Sequence, residues 1–132
     1  MDENKLEEID NFLYEYAIER FNRLFKFMLV GQKRLKSYLM LVVRALVRCL
    51  HHVDKEIYIK DIMEAVMAEA DYMLNEDPFK IDFQSIAKIR YSEEFQNLIK
   101  SEIHGWILYL LNNDKLPSNL RYERFIGRLT IT

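Results

Sequence analysis

Lys33, Lys36, Arg44, Arg48 and His51 recur at spacings that place them, at 100° per residue, within about 120° of one helix circumference. They belong to a 34-residue stretch, 20–53, that holds eight Lys or Arg and no Asp or Glu. A row of cations on one helix face can displace counterions from a phosphate backbone, and interleaved aromatic side chains can stack on bases. Arg121, Arg124 and Arg128 near the carboxyl end would make a second phosphate-facing patch. A solvated basic face answered by acidic neighbours accounts for the same residues and is the preferred reading. Segments 1–19 and 54–79 each carry a net charge of −6, and the sequence pI is near 5.9.

Nucleophilic and metal chemistry find little support. His51, His52 and His104 are the histidines; the first two are adjacent and diverge on a helix, and no cysteine pair or closely spaced carboxylate completes a metal site. No metal site and no cofactor are therefore expected. Ser37, Ser85, Ser92, Ser101 and Ser118 lack a Gly-x-Ser-x-Gly context, and no glycine-rich loop is present to cradle a phosphate. Glu64, Glu69 and Asp71 come without the Glu-x-x-His pairs of a di-iron bundle. Met63, Met67 and Met73 read as core filler.

Arg44 and His51, with six residues between them, project from one face two turns apart. This spacing resembles the Arg and His motif of the helical HEPN ribonucleases, although Ala45 stands where that family usually has a polar residue after the arginine. The resemblance covers one helix and implies, as a remote alternative, a ribonuclease using Arg44 and His51. Residues 10–28, taken with a later helix ending in Leu116-Pro117-Ser118-Asn119-Leu120, are loosely similar to the helical domain of the replicative GINS complex subunits. No residue role is transferred from that likeness.

The elements that must hold these residues are mostly helical. Half of the chain is hydrophobic, and of three Gly and two Pro only Gly31 precedes Pro78, a composition of long helices around a core. Leu6, Ile9, Phe12, Leu13, Tyr16 and Ala17 predict a first amphipathic helix, acidic at its start, that continues through Phe21 and Phe25 to Met28 with basic side chains snorkelling from a buried framework. Gly31 is the expected cap. A second helix over 33–53 sets the basic face against Leu35, Leu39, Val42, Val43, Leu46, Cys49 and Leu50. Residues 51–56 read as a connection. A third, acidic helix then carries Ile59, Ile62, Met63, Val66, Met67, Ala70, Met73 and Leu74 and ends before Pro78; it is the expected neutraliser of part of the basic face. A short helix over 82–90 and a last long one from Ser92 to about Asn112 complete the set.

The expected fold is thus all-α: a four- to five-helix bundle over 1–116, with a short extended or single-strand tail over 117–132. The amino terminus has no signal-peptide pattern, the apolar runs are too short to span a bilayer, and the lone Cys49 calls for no oxidising compartment, so a soluble cytoplasmic protein with no membrane partner is expected. The leading functional expectation is a non-enzymatic interaction or assembly protein, a homo-oligomer or a subunit of a larger complex. Its interface would draw on Phe21, Phe25, Leu29, Trp106, Phe125, Ile126 and Ile131. The alternative is a small DNA- or RNA-binding nucleoprotein component. Both roles would coexist in a coat or scaffold subunit.

Overall fold

The computed structural model describes residues 2–24, 32–75 and 93–132. Among these residues the chain forms helices α1 (Glu3–Leu24), α2 (Gln32–His51), α3 (Ile59–Asn75) and α4 (Glu93–Asn112), with strands β1 (Glu56–Tyr58), β2 (Leu120–Glu123) and β3 (Arg128–Ile131). The expected short helix over 82–90, the Gly31 cap and the helix end at Pro78 lie outside the described residues.

Local chemistry sets each helix. The Asp2 carboxylate accepts the Lys5 amide at 2.9 Å, an N-cap at the start of α1, and Glu3 in the first turn suits the positive end of the helix dipole. Leu6, Ile9, Leu13, Ala17 and Phe21 follow at intervals of three and four, and all are buried. On α2 the buried positions run from Tyr38 through Leu50 and sweep about 200° of arc, because this helix lies between α1 and α3. Ile59, Ile62, Val66, Met67 and Ala70 turn one side of α3 inward. Ile99, Ile103, Trp106, Ile107 and Leu110 do so for α4, which packs on α1. There, Phe12 and Tyr16 of α1 stack on Tyr109, with ring centroids 5.0 and 3.9 Å away.

The end of α4 is a Schellman motif. Lys115 N–H donates to the Leu110 carbonyl at 2.9 Å and Asp114 N–H to Leu111 at 3.3 Å, which places Asp114 in the left-handed region at φ 56°.

The structure corrects the expectation of an all-α fold with a tail of at most one strand. The carboxyl-terminal residues make a hairpin, and a third strand comes from residues 56–58, which the sequence reading assigned to a connection and to the start of the acidic helix. The strand order is β1-β3-β2, antiparallel throughout, with Tyr58 opposite Arg128 and Tyr122 opposite Leu129. The physical reason is that a lone strand leaves its ladder groups unpaired and a two-stranded hairpin is marginal by itself, so a third strand beside β3 adds to its stability. Alternation then puts Leu120 and Leu129 into the core, at 2% and 0% exposure, and Arg121, Glu123, Arg128 and Glu56 on the outer face. Gly127, at φ 60°, closes the four-residue turn 124–127, and its carbonyl accepts the Ile59 N–H at 2.7 Å, joining the hairpin to the first residue of α3.

A candidate interaction surface and the ion pairs behind it

Among the described residues, the ion pairs made by the basic stretch run to acids of α1 and α4. Arg48 donates from Nη1 to both carboxylate oxygens of Asp10, at 2.9 and 2.8 Å, and pairs through Nη2 with Glu3. Arg44 Nε stands 3.8 Å from the same Asp10, whose side chain is 1% exposed. Arg20 grips Glu102 of α4 with two bonds, Nε to Oε2 at 2.7 Å and Nη2 to Oε1 at 2.9 Å. Burial pushes the Asp10 carboxyl up from its ordinary value, while the hydrogen bond and charge of Arg48 and the charge of Arg44 pull it back. The bond to Glu102 raises Arg20 further above its already high value. A shallow hollow of about 200 Å³, lined by Glu7, Asp10, Asn11, Met40 and Arg44, opens beside this network.

The remaining residues of the expected basic face lie along the same helix, α2. Lys36 is half-buried, and the side chain of Lys33 lies outside the described residues. The His51 ring turns back on its own helix, Nδ1 lying 2.8 Å from the Val47 carbonyl, while its Nε2 is buried with no hydrogen-bond partner among the described residues. That geometry makes Nδ1 the protonated nitrogen. Arg44 Nε is likewise buried without a hydrogen bond among the described residues. Among the described residues no group of three or more His, Cys, Asp or Glu is arranged to hold a metal ion, and no helix is long and apolar enough to cross a membrane.

The second arginine cluster surrounds the hairpin. Arg128, on the central strand, lies between Glu123, 2.6 Å away on β2, and Glu56, 3.5 Å away on β1, a cross-strand charge ladder. Arg121 is exposed and donates to the carbonyls of Ser118 and Leu120 at 2.7 and 3.2 Å. Arg124 is exposed at the turn and makes no ion pair among the described residues. Beside it, Phe125 is fully exposed, at 107% of the reference area, and Ile126 is 54% exposed. Behind the turn, the Tyr122 hydroxyl of β2 meets Nδ1 of His104 of α4 in a hydrogen bond. Burial, with the charges of Arg124 and Lys100, lowers the His104 pKa; burial raises that of Tyr122. Both shifts favour a neutral ring that accepts from the tyrosine hydroxyl.

Of the residues expected at an interface, Phe125 and Ile126 therefore project into solvent and Ile131 is half-buried on β3. Phe21 and Trp106 are 5% and 1% exposed within the monomer core, and Phe25 and Leu29 lie outside the described residues. Sequence reasoning missed Asp10 and Glu102 as anchors, yet their signal was present. Each is an acid set inside an apolar stripe, Asp10 between Leu6 and Leu13 and Glu102 between Ile99 and Trp106, where a buried carboxylate requires a cation. It also missed a groove of about 360 Å³ between α3 and α4, lined by Met63, Glu64, Met67, Ala68, Asp71 and Gln96.

Fold and surface together define a mostly helical domain capped by a small three-stranded antiparallel sheet, whose hairpin presents an apolar tip. Comparison with known protein families, curated proteins and solved structures finds no match to the chain.

Proposed function

We propose that the protein is a non-enzymatic assembly protein whose contact element is the β2–β3 turn. The single observation that supports this most is the adjacent pair Phe125 and Ile126, exposed on a turn that is tied down rather than loose. The Gly127–Ile59 bond, the Arg128 ladder and the His104–Tyr122 contact fix its base. An isolated exposed apolar residue is ordinary, but two large ones on a pre-organised turn form a ready anchor whose ordering cost is already met by the fold. Burying both side chains in a partner releases roughly 3–6 kcal/mol, counting about 1.5–3 kcal/mol for each.

The test is sedimentation velocity of the protein, alone and with any co-purifying partner, beside a Phe125→Asp/Ile126→Asp variant. The variant should lose association while its circular dichroism and melting temperature stay unchanged. Equal sedimentation of the two proteins would refute the reading.

A second reading draws on Arg121, Arg124 and Phe125, an exposed aromatic between exposed cations, as a contact for single-stranded nucleic acid. It requires oligonucleotide binding that weakens steeply with salt and is lost in Arg121→Glu/Arg124→Glu. Salt-independent binding, or none, removes it.

A further inference from the structure

Resting on the assembly reading above, we infer that the partner of the Arg124–Phe125–Ile126 tip is the α3–α4 groove of a second copy of this chain, so that molecules join head to tail. The groove is lined by Met63, Met67 and Ala68, with Glu64 and Asp71 at its rim. Methionine walls are deformable and polarisable and take aromatic rings well. The space of about 360 Å³ is more than twice the ~150 Å³ that holds a benzene ring, so it has room for a phenylalanine ring with a branched aliphatic side chain beside it.

Charge complements shape. Asp61, Glu64 and Glu69 face solvent along α3 and make no ion pair among the described residues, while Arg124 is an exposed cation without a carboxylate partner there. Docking Phe125 and Ile126 between the methionines brings Arg124 to the acidic rim, where Glu64 is the matching group.

A tip cannot enter the groove of its own chain. Gly127 O is bonded to Ile59 N at the first residue of α3, whereas the groove spans positions 63–71, roughly 6–18 Å further along at 1.5 Å per residue. Phe125 is fully exposed in its own molecule. Tip and groove are different surfaces, so the contact is heterologous: each bound copy offers another free tip and another free groove, and growth stops only if the rotation closes a ring. The contact is small beside the roughly 800 Å² per partner of a stable interface, so it should be weak and concentration-dependent.

Two variants and their mixture test this. Phe125→Asp/Ile126→Asp disables the tip and leaves the groove; Ala68→Arg, at an exposed helix position, fills the groove and repels Arg124 while leaving the tip. Analytical ultracentrifugation from about ten to several hundred micromolar, the range of a weak interface, should show wild-type mass rising with concentration and each variant alone as a monomer. An equimolar mixture of the two should give a heterodimer and nothing larger, because each contributes one working surface. Arg124→Glu should weaken association, and Arg124→Glu with Glu64→Arg should restore it. A wild-type monomer throughout the range overturns the proposal. Loss with the tip variant but full association of Ala68→Arg overturns the groove assignment and leaves the assembly reading standing; unchanged association of both variants overturns both. A monomer that binds a labelled single-stranded oligonucleotide through Arg124 and Phe125 overturns it in favour of nucleic acid.

Discussion

Asp10 is the residue whose replacement should be most instructive. Its carboxylate is 1% exposed and accepts two bonds from Arg48, which is 19% exposed, with Arg44 3.8 Å away and 39% exposed. Asp10→Asn keeps the volume but leaves two guanidinium groups facing a neutral amide. Breaking a buried pair by removing one partner costs about 3–5 kcal/mol. Partial exposure of both arginines, and the Glu3 carboxylate still beside Arg48, reduce this to roughly 2–3 kcal/mol. With a urea m-value of about 2 kcal/mol/M, the midpoint should fall by about 1–1.5 M at unchanged slope. Arg48→Met strands the carboxylate itself, with only Arg44 near it, and should cost more. Asp10→Leu with Arg48→Met removes both charges and should lie close to wild type, giving a coupling of at least about 2 kcal/mol in a double-mutant cycle. Additive single effects, or an Asp10→Asn midpoint equal to wild type, would refute the claim that this pair fastens α1 to α2.

His104 has a lowered folded pKa, so on acidification the unfolded chain takes up its proton first, near the ordinary value of 6.5. Stability from this group is full above that pH and declines as pH falls from 6.5 through the folded value. Urea midpoints measured across that window should slope downward in the wild type and flatten in His104→Gln. Burial raises the Cys49 thiol above its ordinary 9.0, so a thiol reagent at neutral pH should label the native protein many-fold more slowly than the urea-unfolded chain. Asp114 holds a left-handed backbone at φ 56°, and Asp114→Gly should leave the fold unchanged and raise thermal stability by up to about 1 kcal/mol. Deleting residues 117–132 removes the buried Leu120 and Leu129 and the strand beside β1, a loss of roughly 3–6 kcal/mol that is comparable with the whole stability of a domain; circular dichroism melting should become broad or vanish.

The four described helices were legible because each carries a local period: Leu6, Ile9, Leu13 and Ala17 on α1, or Ile59, Ile62, Val66 and Ala70 on α3, repeat within a single element. The sheet was not, because β1 is three residues, Glu56–Tyr58, too short to show alternation, and its only reason to be extended is β3, some seventy residues further along the chain. The hairpin did leave a trace. Gly127 sits between Arg121-Tyr122 and the alternating Leu129-Thr130-Ile131, and a glycine so placed is a turn signal with strands on either side. For the surface, the residue types of the tip were readable, but their exposure depends on which apolar groups the core consumes first, and that is a property of the packed molecule.

The charge blocks carry the same lesson one level higher. The 20–53 block is basic and both neighbours are acidic, so sequence alone leaves open which neighbour answers it. The molecule uses Asp10 and Glu3 against Arg48 and Glu102 against Arg20, and Glu123 and Glu56 engage Arg128 on the sheet. Among the described residues outside these ion pairs, Asp61, Glu64 and Glu69 lie along α3, with Lys60 at its start, and Arg121 and Arg124 lie at the hairpin. Exposed charges of this kind add little to folding stability, but two surfaces of opposite sign on one molecule attract between copies over a Debye length of about 8 Å at physiological salt. In the proposed head-to-tail contact the acidic side chains of α3 bear more on association than on folding, whereas Arg20, Arg44 and Arg48 of the basic stretch fasten the helices to one another.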